Sequence, residues 1–139
     1  MSGNPMRILL VEDDEVDVMN VKRAFKKNNI LNPLVVKNNG IEALEYLKSL
    51  PAEELPKIVL LDLNMPLMGG IEFLRELRDN EKTHRISVFV MTTSNQDNDK
   101  IEAFNLNVAG YILKPLSMER FVQAVSTLKS YWTLCEYPE

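Results

Sequence analysis

The chain has 139 residues, of which 45% are hydrophobic and 26% charged, and its formal net charge is −4. These values are typical of one globular domain, and the acidic balance argues against nonspecific binding to nucleic acid or to an anionic membrane. The single cysteine, Cys135, excludes an internal disulfide, and no signal peptide or membrane-spanning run is evident, so we expect a cytoplasmic protein.

Strand-like and helix-like patterns alternate along the chain after a short leader. In chain order they predict a strand over 7–11, a helix with apolar residues from 16 to 25, a strand over 33–36, a helix starting at Asn39-Gly40, a polar loop over 51–56, a strand over 58–61, a helix over 71–77, a strand over 86–91, a helix over 101–106, a strand over 108–113 and a helix over 121–128. Acidic residues open the first helix and basic residues close it, which matches the helix dipole.

Apolar residues at helical spacing predict the buried faces of the first two helices. For the first helix these residues are Val16, Met19, Val21, Ala24 and Phe25. For the second they are Ile41, Leu44, Leu47 and Leu50.

The alternation of strands and helices predicts an α/β fold with a doubly wound, five-stranded parallel sheet. Right-handed crossovers place helices on both faces of such a sheet. The length suits the flavodoxin-like strand order 2-1-3-4-5, with its switch point between the first and third strands. We expect one domain over residues 6–131 and a C-terminal tail over 132–139.

Polar residues follow four of the five predicted strands. Glu12 and Asp13 follow the first strand, Asp62 the third, Thr92 the fourth and Lys114 the fifth, whereas the second ends in no obvious catalytic group. Parallel strands bring their carboxyl ends to one edge, where ligands bind in open α/β sheets. Three clustered carboxylates would repel one another unless a cation lay among them, and oxygen ligands favour Mg²⁺.

A lysine and a hydroxyl group beside such a centre would stabilise a phosphoryl group on Asp62. Each residue alone has a simpler explanation. Asp13 or Asp14 would cap the first helix, Thr92 would lie in a turn, and Lys114 would be a solvated surface charge. Those explanations do not account for their joint placement at the strand ends.

Four segments carry a resemblance to the receiver domain of two-component response regulators. They are Ile8-Leu9-Leu10-Val11-Glu12-Asp13-Asp14, Leu61-Asp62-Leu63-Asn64-Met65-Pro66, Met91-Thr92-Thr93 and Gly110-Tyr111-Ile112-Leu113-Lys114-Pro115. The resemblance implies a phosphorylated signalling protein whose partner is a sensor histidine kinase, with no catalysis beyond its own phosphotransfer and autodephosphorylation.

The same resemblance implies a role for each site residue. Asp62 is the phosphoacceptor, and Asp13, Asp62 and the backbone carbonyl of Asn64 bind Mg²⁺, with Glu12 acting through a water. Lys114 contacts the phosphoryl oxygens, and the bond between Lys114 and Pro115 is expected to be cis. Thr92 and Tyr111 match the switch positions. One departure is Gly69, where many receivers have aspartate.

A narrower resemblance, to phytochrome-associated receivers, rests on Thr92-Thr93-Ser94, the 51–56 loop and Tyr131-Trp132. It implies a phytochrome-like kinase as partner. The aromatic residues Tyr131, Trp132 and Tyr137 favour homodimerisation through the last helix and tail, and packing of the tail within the chain is the alternative.

Two other functions use similar groups. A haloacid-dehalogenase-like phosphatase also has a strand-end aspartate, Mg²⁺ and a lysine, but it needs an aspartate as acid/base where this chain has Asn64. A flavodoxin-like carrier needs a Ser/Thr/Gly-rich phosphate loop after the first strand, where this chain has Glu12-Asp13-Asp14.

Overall fold

The sheet contains five strands, β1 (Ile8–Val11), β2 (Leu34–Lys37), β3 (Ile58–Asp62), β4 (Ser87–Thr92) and β5 (Gly110–Leu113). They are all parallel, in the order β2-β1-β3-β4-β5, which confirms the predicted fold class and strand order. The structure is a computed structural model that describes residues 6–63, 68–92 and 105–113, with Thr92 and Leu113 described by their backbone alone.

Three helices are described, α1 (Glu15–Lys27), α2 (Gly40–Ser49) and α3 (Gly70–Asp79), and the predicted 51–56 loop contains a short 3₁₀ turn, Ala52–Glu54. Among the residues that the structure describes, no helix is long and apolar enough to cross a membrane. The predicted helices over 101–106 and 121–128 fall largely or wholly outside the described residues, as does the tail over 132–139.

Polar side chains and one left-handed residue determine where the helices begin and end. An oxygen of Asp14 accepts hydrogen bonds from the N–H groups of Val16 and Asp17, at 2.8 and 3.3 Å, so Asp14 caps α1. At the other end Asn29 has φ 58°, and the N–H of Ile30 donates to the carbonyl of Phe25 at 2.9 Å. The left-handed turn at Asn29 explains why α1 stops before β2 begins.

Alternate residues of the central strands pack on opposite faces of the sheet, as the two-residue period of a strand requires. The face covered by α2 and α3 buries Leu9, Val11, Val59, Leu61, Val88 and Val90. The face covered by α1 buries Ile8, Leu10, Ile58, Leu60, Phe89 and Met91. Two apolar layers therefore fix β1 and β3 side by side.

Two predicted helix faces are partly wrong. Val21, Ala24 and Phe25 are buried, but Val16 and Met19 are 65% and 53% exposed. The angular spacing of about 100° per residue explains this, because it places Met19 nearly opposite the Val21–Phe25 face. Ile41 is likewise 43% exposed, in the first turn of α2.

Several strand boundaries also differ from the prediction, by one or two residues. Strand β2 runs to Lys37 rather than to residue 36, and β5 starts at Gly110 rather than at residue 108. The later start follows from a turn in which Asn107 has φ 60°. Ala109 then donates its N–H to the carbonyl of Val88 at 2.7 Å, so regular pairing with β4 begins only afterwards.

Candidate functional site

Three carboxylates meet at the carboxyl edge of the sheet, where β1 and β3 end side by side. Val11 pairs with Leu61, so the next residues on the two strands, Glu12 and Asp62, are neighbours. One carboxylate oxygen from each of Glu12, Asp13 and Asp62 lies within 4.8 Å of the others. Glu12 and Asp62 are buried and Asp13 is exposed, so the cluster opens to solvent on the Asp13 side.

Two hydrogen bonds with backbone groups fix the position of Glu12. Its N–H donates to the carbonyl of Lys37 at 2.9 Å, which extends the pairing of β1 with β2 by one residue. The N–H of Asp14 donates to Oε2 of Glu12 at 3.2 Å. The capping explanation is therefore right for Asp14, whereas the side chain of Asp13 joins the cluster.

The backbone that follows Asp62 is held by both β4 and α3. The N–H of Leu63 donates to the carbonyl of Met91 at 3.1 Å, and the N–H of Gly70 donates to the carbonyl of Leu63 at 3.2 Å. A Cβ on Gly70 would lie 2.5 Å from Cα of Leu63 and 2.7 Å from the carbonyl oxygen of Asp62. Only glycine permits this approach, which places the first turn of α3 directly against the backbone of Asp62.

Gly69 differs from Gly70, although the two are adjacent. It has φ −67°, makes no side-chain cap for α3, and a Cβ there would meet nothing within 4 Å. The departure from the receiver pattern at this position therefore leaves α3 without a capping side chain and does not disturb the carboxylate cluster.

The other predicted site residues are described in part. The backbone of Thr92 pairs with Leu113, so β4 and β5 end together at the edge that holds Asp62. Tyr111 is half-buried and packs against the core under α2 and α3. The side chain of Thr92, and both Asn64 and Lys114, lie outside the described residues.

Sequence reasoning missed a cation at the end of the second strand. Lys37 closes β2, and its Nζ lies 5.2 Å from the ring centroid of Tyr46 on α2. The one-residue error in the boundary of β2 concealed it. The ammonium group lies over the aromatic ring, on the α2 side of the edge.

The donor set of the cluster fits a hard divalent cation. Three carboxylates offer only oxygen ligands, and two of them are buried where their mutual repulsion is poorly screened by water. Such a cation would offset that repulsion. The residues present therefore fit Mg²⁺ or Mn²⁺ better than a metal that requires sulfur or imidazole ligands.

Comparison with known proteins identifies the family. The family model of the response regulator receiver domain matches residues 8–126. The chain belongs to this family. It therefore functions as a receiver in two-component signalling, and members of the family are typically not classical enzymes. The phosphatase and flavodoxin-like alternatives receive no support.

Individual relatives agree with this assignment. The chain is 37% identical over 131 residues to the probable methanogenesis regulatory protein FilR2 of Methanothrix harundinacea, covering 93% of this chain and 84% of FilR2. It is 34% identical over 134 residues to the response regulator Rcp1 of Synechocystis sp., covering 94% of this chain and 91% of Rcp1.

Solved structures extend the comparison to the fold. The Mn²⁺-bound form of Rcp1 superposes with a TM-score of 0.77 at 32% identity, over 96% of this chain and all of that one. The phosphorylated cyanobacterial phytochrome response regulator RcpA gives 0.77 at 30% identity, over 95% of this chain and 99% of that one. The solved structures similar to this chain thus include phytochrome-associated receivers, as the narrower resemblance predicts.

Proposed function

We propose that Asp62 accepts a phosphoryl group from the phosphohistidine of a partner kinase. A carboxylate oxygen of Asp62 attacks phosphorus, an O–P bond forms as the N–P bond breaks, and the departing imidazole takes up a proton from solvent. The observation that carries the proposal is the burial of Asp62 beside Glu12 and Asp13 at the strand edge. Phosphotransfer and the later hydrolysis of the acyl phosphate are the only reactions proposed for the chain.

The proposed cofactor is Mg²⁺, bound by Asp13, Asp62 and the backbone carbonyl of Asn64, with Glu12 acting through a water. Support comes from the three carboxylate oxygens within 4.8 Å of one another and from their oxygen-only chemistry. The bound ion would supply positive charge to the phosphoryl oxygens. The N–H of Glu12 donates to the carbonyl of Lys37 and its carboxylate accepts from the N–H of Asp14, so the protein maintains the orientation of that carboxylate near the ion.

The proposed conformational response to phosphorylation depends on three residues, Lys114, Thr92 and Tyr111. Lys114 would neutralise the phosphoryl group and Thr92 would donate a hydrogen bond to it, while Tyr111 changes its packing. The support is the pairing of Thr92 with Leu113, the residue that precedes Lys114, and the position of Tyr111 on the same strand. A change at the edge would therefore reach β5 through adjacent backbone.

The proposed partner is a sensor histidine kinase of the phytochrome type, because RcpA is a cyanobacterial phytochrome response regulator. A cytoplasmic location stays a prediction, as does the boundary between residues 6–131 and the tail. We also propose homodimerisation through the last helix and tail. Light scattering on the full chain and on a chain ending at Lys129 tests it: loss of the dimer on truncation supports the proposal, and monomers in both cases refute it.

Intact-protein mass spectrometry tests the phosphoacceptor. The full chain is incubated with acetyl phosphate and Mg²⁺, alongside Asp62→Asn and Asp14→Asn. We expect one phosphoryl group on the wild type and on Asp14→Asn, which retains a capping side chain on α1, and none on Asp62→Asn. Equal incorporation in Asp62→Asn would refute the assignment.

A further inference from the structure

The guanidinium group of Arg78, in the last turn of α3, links three segments of the backbone. Its Nε–H donates to the carbonyl of Leu106 at 2.7 Å, and an Nη2 hydrogen donates to that of Asn107 at 3.1 Å. Its Nη1 group donates to the carbonyls of His84 at 2.9 Å and Ile86 at 2.7 Å. One side chain therefore connects α3 both to the loop before β4 and to the turn before β5.

This arrangement depends on the shape of arginine as well as on its charge. Burial lowers the pKa of Arg78, yet a guanidinium remains protonated in proteins. Its planar fork points donors in several directions at once, whereas a lysine has one nitrogen on a flexible chain. All four acceptors are main-chain carbonyl oxygens, and hydrogen bonds from a charged donor are stronger than those between neutral groups.

The turn that Arg78 holds is the entrance to β5. Asn107 has the left-handed φ of 60°, and beyond it Ala109 donates its N–H to the carbonyl of Val88 at 2.7 Å. Leu106 and Val108 pack against the core under α2 and α3, on the side where Tyr111 lies. Among the described residues, hydrogen bonds thus connect this turn to α3 on one side and to β4 on the other.

The opposite end of α3 lies beside Asp62, at the carboxyl edge of the sheet. Its first residue, Gly70, lies against the backbone of Asp62 and Leu63, since a Cβ added there would be 2.7 Å from the carbonyl oxygen of Asp62 and 2.5 Å from Cα of Leu63. Helix α3 has ten residues and so spans about 15 Å, given a rise of about 1.5 Å per residue. One helix therefore touches Asp62 at its start and holds the entrance of β5 at its end.

We infer that Arg78 is a positioning residue that fixes the Leu106–Asn107 turn on α3. Because the turn is fixed, a structural change at the end of the sheet that holds Asp62 changes the conformation of β5 and does not merely move the turn. This inference rests on the proposed function, because it concerns the response to phosphorylation. Arg78 is remote from the reacting atoms. Its loss should consequently leave phosphoryl transfer intact and weaken the response of β5.

Hydrogen exchange of the full chain tests the inference. It is measured with and without acetyl phosphate and Mg²⁺ on the wild type, on Arg78→Gln and on Arg78→Lys. Arg85→Gln is the matched control, since it removes the same charge from an exposed arginine of the loop that Arg78 contacts. Mass spectrometry records phosphoryl incorporation in the same samples.

For Arg78→Gln we expect exchange over residues 105–110 to rise at least about tenfold before phosphorylation, as loss of a single charge-assisted hydrogen bond would produce. We also expect normal phosphoryl incorporation and loss of the phosphorylation-dependent change in β5. Arg78→Lys should behave in the same way, because its single nitrogen cannot span the acceptors on both segments. It also serves as the folded variant if Arg78→Gln fails to fold.

Arg85→Gln should match the wild type throughout. An unchanged β5 response in Arg78→Gln, or full restoration by lysine, would overturn the inference. A wild type that takes up no phosphoryl group would overturn the proposed function instead, and the mass measurement distinguishes these two failures.

Discussion

Replacing Gly70 by alanine should destabilise the protein and disturb Asp62, whereas the same change at Gly69 should do neither. The added Cβ of Gly70→Ala would lie 2.5 Å from Cα of Leu63 and 2.7 Å from the carbonyl oxygen of Asp62. Carbon atoms in contact prefer a separation of about 3.5–4.0 Å, so α3 would have to retreat from β3 by roughly 1 Å. Both opposing atoms belong to the backbone and cannot rotate away.

The expected magnitude follows from the cost of overpacking a well-packed interior, about 1–3 kcal/mol. Alanine recovers about 0.4–1 kcal/mol of this by restricting the unfolded chain. The net loss in the free energy of unfolding should therefore be about 1–2 kcal/mol. Gly69→Ala meets nothing within 4 Å at φ −67°, and we expect its free energy of unfolding to stay within about 0.5 kcal/mol of the wild type.

Urea unfolding of the two variants without metal measures this difference directly, provided that both transitions keep the wild-type slope. Phosphorylation by acetyl phosphate measures the functional part, and Gly70→Ala should react more slowly than Gly69→Ala because its clash reaches the backbone of Asp62. Equal stabilities for the two variants, or a more stable Gly70→Ala, would refute the argument that α3 must abut the end of β3.

Three further predictions concern separate parts of the molecule. Asp13→Asn should weaken Mg²⁺ binding by about tenfold or more, because an anionic ligand becomes neutral; equal affinities in a metal titration would contradict this. Lys114→Ala should retain part of the phosphorylation but lose the exchange response of β5, and a full response would exclude its coupling role. Asn29 has φ 58°, so Asn29→Ala should lower the free energy of unfolding by about 1 kcal/mol, whereas Asn29→Gly should not lower it. Equal losses for the two variants in urea unfolding would show that the backbone angle is not the cause.

The sequence predicts the fold and the acidic cluster well because both follow from short-range patterns. Buried strands are apolar without interruption, and the residue after each strand lies at one edge of a parallel sheet. Glu12, Asp13 and Asp62 could thus be grouped before any distance was known. Val16 and Met19 were wrongly predicted to be buried in α1. The prediction used only their apolar character and ignored their angular position around the helix.

Other features leave no trace that a single sequence reveals. Arg78 binds main-chain carbonyl oxygens, which every residue possesses, so no partner side chain marks its role. Gly69 and Gly70 are adjacent residues of the same type, and only the short distance to the end of β3 shows that packing requires glycine at position 70. Lys37 was missed because strand ends are uncertain by a residue or more in such predictions.

The proposed function places the phosphoryl group on the buried carboxylate of Asp62, and locating that group chemically is the direct test. After incubation with acetyl phosphate and Mg²⁺, borohydride reduces an aspartyl phosphate to homoserine, which peptide mass mapping then places in the sequence. We expect homoserine at position 62 alone, and none without the phosphodonor. Homoserine at Asp13 or at another aspartate, with Asp62 intact, would refute Asp62 as the phosphoacceptor.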